Sequence, residues 1–88
     1  MFIELYMDNG FIVLNTMHIV SLHADEDLSE PVSEAFGKYT NTVVYIKTID
    51  GLTHTNSFFH LEEEQSYADA DWFYNKIKKM LNVTPEID

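Results

Sequence analysis

The 88-residue chain contains no cysteine and no arginine, and it has only three glycines and two prolines. Without cysteine it can form no disulfide framework, thiol nucleophile or cysteine-ligated metal cluster. Without arginine it lacks the side chain that best recognises phosphates and base edges through paired hydrogen bonds. Because 15 acids face only 5 lysines, giving a formal charge of −10, direct binding to nucleic acid is close to excluded.

Two further absences concern targeting and catalysis. No segment approaches the roughly 20 apolar residues that span a bilayer. The N-terminal segment carries no basic group, so we expect no signal peptide and a soluble, cytoplasmic protein. The sequence has no Gly-rich phosphate loop, nucleophile elbow or Ser-His-Asp arrangement. We therefore expect neither enzymatic activity nor a cofactor.

The N-terminal residues have the pattern of a β-hairpin. Residues 2–7 alternate with the period of a strand, Asn9-Gly10 follows, and residues 11–15 form a second apolar segment. Asn-Gly between apolar segments is the strongest short signal for a hairpin turn, because both residues tolerate a positive φ. After a polar break, residues 18–23 predict a third strand.

A second hairpin and a helix are predicted in the rest of the chain. Residues 39–49 are rich in β-formers, Asp50-Gly51 marks a turn, and residues 52–61 return. A helix is predicted over residues 68–81, because apolar residues recur there at helical spacing. They are Ala70, Phe73, Tyr74, Ile77, Met80 and Leu81.

This order of elements predicts a single α+β domain over residues 1–88. A small, strongly bent antiparallel sheet of about five strands, made of two hairpins and a third strand, is capped by the one C-terminal helix. Residues 24–38 are rich in acids and contain one proline and one glycine, so they predict a long acidic loop. Residues 84–88 predict a frayed acidic tail.

The first hairpin also carries a family resemblance. The stretch DNGFIVLN at residues 8–15, followed by Ile19, resembles the opening of small flagellar proteins of the FlbD type. Those proteins share a second hairpin that turns on a glycine, as at Gly51, and a short helix that ends the chain. The resemblance implies a small, non-enzymatic assembly or regulatory factor.

The four histidines lack the spacing of a metal site. His54 and His60 share a strand face but lie six residues apart, which is roughly 20 Å along an extended strand. His18 and His23 are predicted to point to opposite faces of the third strand. We therefore expect no bound metal.

Trp72 is the most conspicuous candidate for contact with a partner. It lies about 140° from the centre of the apolar stripe on the helical wheel, with Lys76 one turn along. Trp72 is either packed beneath residues 62–66 and covered by lysines, or part of a protein interface, where tryptophan is enriched. Tyr6, on the less apolar face of the first strand, would extend that interface.

Acidic residues are concentrated in residues 24–38 and 62–71, outside the predicted strands. They form a solvated surface, or they mimic nucleic-acid phosphates and bind a basic groove of another protein, as inhibitors encoded by phages and mobile elements do. The acids considered for partner binding are Asp25, Glu26, Asp27, Glu62, Glu63 and Glu64.

These features favour a small, non-enzymatic protein-interaction domain that acts as a regulator, assembly factor or inhibitor, with another protein as its partner. The alternative is the nucleic-acid mimic. A homodimer is also expected, because one helix leaves strand edges uncovered. Its interface is expected at the edge of a hairpin or on the Trp72 side of the helix.

Overall fold

A computed structural model describes residues 1–27, 40–61 and 63–82. It shows an α+β fold of five strands and a C-terminal helix. The strands are β1 (Phe2–Met7), β2 (Gly10–Asn15), β3 (Ile19–Asp27), β4 (Thr40–Thr48) and β5 (Thr53–His60). A single 3-10 turn (Thr16–His18) joins β2 to β3, and the helix α1 covers Glu63–Met80.

Both predicted hairpins are confirmed. β1 and β2 pair antiparallel, and Met7 lies opposite Gly10 across the turn residues. Gly10 has φ +110°, a conformation that L-residues resist. β4 and β5 also pair antiparallel. The N–H of Gly51, at φ +86°, donates to the Thr48 carbonyl and closes the second turn.

The predicted single bent sheet is wrong, because the strands form two sheets. One contains β1 and β2, and the other has the order β3-β4-β5. Just after β1, the Asp8 N–H donates to the Thr55 carbonyl of β5 at 3.2 Å. The Asp8 carboxylate accepts the next N–H of β5, from Ser57, at 2.8 Å. Because a side chain takes that donor, no strand ladder continues from β5 to β1.

β3 differs from the prediction at both ends. The pairing with β4 shifts between Ile19 and Ser21, which leaves Val20 as an extra, exposed residue. Such a bulge reverses the alternation of faces, so Ile19 and Leu22 both pack on the core, whereas the regular alternation of a strand would place them on opposite faces. β3 also continues to Asp27, so residues 24–27 of the predicted acidic loop are strand, and residues 28–38 lie outside the described residues.

The core lies between the sheets and the helix. The predicted helical stripe is confirmed: Ala70, Phe73 and Ile77 are buried, and Tyr74, Met80 and Leu81 pack against them. They meet the inward residues of β1 and β4, which are Ile3, Leu5, Met7, Val44 and Ile46.

The helix begins at Glu63, five residues before the predicted start. Its first turns are docked by Ser66, whose buried hydroxyl donates to the Phe58 carbonyl at 2.7 Å and is hydrogen-bonded to the Thr42 hydroxyl at 2.9 Å. The predicted tail, residues 84–88, lies outside the described residues. Among those that are described, no helix is both long and apolar enough to cross a membrane.

Candidate protein-binding surface

The β1–β2 hairpin is apolar on both faces. Strand alternation sends Ile3, Leu5 and Met7 into the core, with at most 8% of each residue exposed. The residues between them, and their cross-strand neighbours on β2, point outward. Four of these outward residues are large and apolar: Phe2 (73% exposed), Tyr6 (67%), Phe11 (72%) and Val13 (62%). We call this set the hairpin face.

The pairing register makes the hairpin face continuous. Tyr6 lies directly opposite Phe11, and their ring centroids are 4.8 Å apart. Glu4 lies opposite Val13, between Phe2 and Tyr6 on the same side of β1. The hairpin face is therefore an apolar patch with one exposed carboxylate in its middle.

A pocket adjoins the hairpin face. It has a volume of about 250 Å³, and its lining includes Phe2 and Val13 of the hairpin and Ile49 and Asp50 of the β4–β5 turn. Ile49 is 63% exposed and extends the apolar surface. A hydrogen bond from the Thr48 hydroxyl, followed by one from the Leu52 N–H, lowers the pKa of Asp50 below its ordinary value. Asp50 therefore stays ionised at the rim of this pocket.

Trp72 lies on the solvent side of α1 and is 64% exposed. The Lys76 ammonium lies 5.0 Å from the centre of its ring, a cation–π arrangement. Trp72 thus contacts a lysine, while most of its surface is open to solvent. Tyr6 lies on β1 and contacts the Phe11 ring, whereas Trp72 lies on α1 and contacts Lys76.

Five of the six candidate acids lie on a strand or on the helix. Asp25, Glu26 and Asp27 end β3, and the Asp25 carboxylate lies 3.8 Å from the His23 ring. Glu63 and Glu64 begin α1, where the positive end of the helix dipole favours acids. Glu62 lies outside the described residues.

The histidines near the core make structural contacts. The Nε2 atom of His60 lies 2.7 Å from the Asp69 carboxylate, a contact that links the end of β5 to α1. His54 lies 3.5 Å from the Thr48 hydroxyl in the β4–β5 hairpin. Within residues 1–27, 40–61 and 63–82, no group of three or more His, Asp or Glu side chains could hold a metal ion.

No family model, curated protein or solved structure matches this chain. The resemblance to FlbD-type proteins therefore stays a prediction.

The sequence interpretation missed two residues of the hairpin face, Phe11 and Val13. Their signal was present, because residues 11–14 are apolar at every position. A strand of a two-stranded hairpin with one covered face needs apolar residues at alternate positions only. The additional apolar residues, Phe11 and Val13, therefore indicate an exposed apolar surface.

Proposed function

We propose that this chain is a non-enzymatic protein-interaction domain that binds another protein through the hairpin face. The observation that supports this function is the exposure of Phe2, Tyr6, Phe11 and Val13 on one continuous surface. Single exposed apolar residues are ordinary, but a contiguous patch marks an interaction site. Aromatic side chains in such a patch are the usual anchors of protein interfaces.

The charges of the domain indicate the chemistry of the partner. Glu4 lies within the hairpin face, so a partner that covers the face must also cover this carboxylate. A buried carboxylate without a cation is strongly destabilising. The partner therefore presents an apolar centre together with a lysine or arginine for Glu4. The net charge of −10 also favours a basic partner and accelerates its association.

This chemistry suits a cytoplasmic regulator, assembly factor or inhibitor. Such a role requires no catalytic group, and an apolar patch with one charge supplies both affinity and orientation. The sequence predicts the same class of function, and this proposal assigns it to the hairpin face.

Site-specific photocrosslinking in the native host tests this proposal. A photoreactive phenylalanine analogue replaces Phe11 in one variant and Trp72 in a matched control, both being aromatic and largely exposed. We expect an adduct with a second, different protein from position 11, and loss of that adduct when Tyr6→Ser is added. Adducts from position 72 alone would place the interface on α1 and overturn the proposal.

The nucleic-acid mimic is a second candidate, supported by the position of Asp25, Glu26 and Asp27. These acids extend β3, so their backbones have the regular spacing of a strand instead of a loop. A mimic depends on such regularly spaced charges. Its test is the triple variant Asp25→Asn, Glu26→Gln, Asp27→Asn: a mimic loses binding to its partner, whereas binding through the hairpin face is little changed.

A further inference from the structure

The outer strand edges of the described part of the fold differ in what protects them. Asp8 covers the β5 edge at Thr55 and Ser57, and β1 carries the charged residue Glu4. The outer edge of β3 carries three acids in its second half. Charged residues are a common protection of an edge against pairing with another strand. The outer edge of β2 has no such protection, because the sequence GFIVLN contains no charge and no proline.

The backbone of β2 shows which groups face its outer edge. The Thr16 N–H donates to the Met1 carbonyl at 2.9 Å, and these residues continue the β1–β2 register by one pair. Opposite pairs in an antiparallel ladder alternate between bonded and non-bonded. Val13 and Phe11 are therefore in non-bonded pairs, and their N–H and C=O groups point away from β1. The same two residues expose their side chains on the hairpin face.

We propose that β2 pairs antiparallel with β2 of a second copy of this chain. The two copies are related by a two-fold axis near Ile12 and Val13, which gives a four-stranded sheet with β1 on both outer sides. Residues paired across an antiparallel seam point to the same face, so the two hairpin faces become one surface of twice the area. That enlarged binding surface rests on the function proposed above, whereas the edge pairing depends on strand geometry alone.

The two strands of the hairpin carry little charge, despite the net charge of −10 of the whole chain. The only charged residue of β1 and β2 is Glu4. In the paired sheet the two Glu4 strands are three strand spacings apart, about 14 Å. This exceeds the screening length of about 8 Å in physiological salt. The remaining repulsion between the copies is long-range, so added salt strengthens the dimer.

Hydrogen exchange of the unaltered protein tests the pairing directly. We expect a monomer–dimer equilibrium by sedimentation between low micromolar and about 1 mM protein. As the dimer forms, exchange of the Phe11 and Val13 amides slows, while the Ile12 amide, already bonded to β1, changes little. A monomer throughout this range overturns the proposal, and so does a dimer in which the Phe11 and Val13 amides still exchange rapidly.

Two matched variants separate backbone pairing from side-chain contact. Val13→Pro removes an N–H that points away from β1, so it leaves the β1–β2 ladder complete. Val13→Thr keeps both the N–H and the β-branched shape. Two N–H groups are lost per symmetric dimer, so we expect Val13→Pro to weaken dimerisation about tenfold or more, and Val13→Thr to leave it nearly unchanged. Equal dimerisation by both variants overturns the pairing.

The fluorescence of Trp72, the only tryptophan, distinguishes the other predicted interface. Because Trp72 lies on α1, its emission should stay the same as the dimer forms. A blue shift that follows dimerisation would place the interface on the helix and overturn the proposal. If the protein does not dimerise, the β2 pairing is wrong, but a crosslink from position 11 to a different protein would still support the proposed function. The two proposals can therefore be tested independently.

Discussion

Asp8 and Ser57 are joined by two hydrogen bonds across the gap between the sheets. The Ser57 N–H donates to one carboxylate oxygen of Asp8 at 2.8 Å, and the Ser57 hydroxyl donates to the other at 2.7 Å. The Thr55 hydroxyl adds a third bond to Asp8 at 3.1 Å. One carboxylate thus covers part of the β5 edge and holds the β1–β2 hairpin, which carries the hairpin face, against the rest of the domain.

Replacing Asp8 tests this link. We expect Asp8→Ala to lower the free energy of unfolding by about 1–2 kcal/mol, since bonds to a charged acceptor are lost from an exposed site. Ser57→Ala keeps the backbone bond and should cost less. Urea denaturation of both variants and the double variant gives the coupling energy. Strictly additive losses would show that the two residues act independently.

Gly10 should resist substitution for conformational reasons alone. It has φ +110°, and an added Cβ would meet no atom within 4 Å, so no clash is involved. A β-branched residue resists this φ, and we expect Gly10→Val to reduce stability by about 1 kcal/mol or more. Thermal melting measures the effect. An unchanged melting temperature would mean that the turn does not need a positive φ.

Asp50 should make the β4–β5 turn sensitive to acid. Its pKa is lowered in the folded state by the Thr48 hydroxyl and the Leu52 N–H. The stabilisation is therefore complete above the ordinary pKa of about 4 and is lost as the pH falls through the lower folded pKa. Urea denaturation should show Asp50→Asn less stable than the unaltered protein at neutral pH, with the difference closing below about pH 4. A difference that persists in strong acid would contradict this cause.

Ser66 should be important for docking the first turns of α1. Its buried hydroxyl satisfies the Phe58 carbonyl and contacts the Thr42 hydroxyl. We expect Ser66→Ala to cost about 1–3 kcal/mol, because a buried acceptor loses its donor. Thr42→Val is the control: it keeps the bond to Phe58 and should cost less. Equal unfolding free energies for Ser66→Ala and the unaltered protein would refute this role.

Local features of the fold could be predicted from the sequence, and long-range features could not. Both hairpins depend on neighbouring residues, and the helical stripe depends on spacing alone. The break between the sheets depends on Asp8 meeting Ser57, 49 residues away. The early start of α1 likewise depends on Ser66 reaching Thr42 and Phe58 on two strands. The spacing of apolar residues along the sequence cannot predict contacts between residues that lie so far apart in the chain.

The candidate surface was predictable in part for the same reason. Strand alternation predicts that Tyr6 lies on the less apolar side of β1, and Tyr6 is exposed in the hairpin face. Predicting Phe11 and Val13 as part of this surface needs two further facts. One is the register of β1 against β2, and the other is that the opposite face of the hairpin is buried in the core. Strand propensity is low for Asp and Glu, so the sequence predicts a loop at Asp25–Asp27, whereas pairing with β4 extends the strand to Asp27.

The most direct test of the hairpin face is the affinity for the crosslinked partner, measured by calorimetry with purified proteins in about 0.15 M and about 1 M salt. Tyr6→Ser should weaken binding about tenfold or more, while Trp72→Ser, a matched loss of an exposed aromatic, should have little effect. Binding should persist in high salt, because the apolar contacts are not screened. Unchanged affinity for Tyr6→Ser, together with loss of binding in high salt, would contradict the account and favour the acidic mimic.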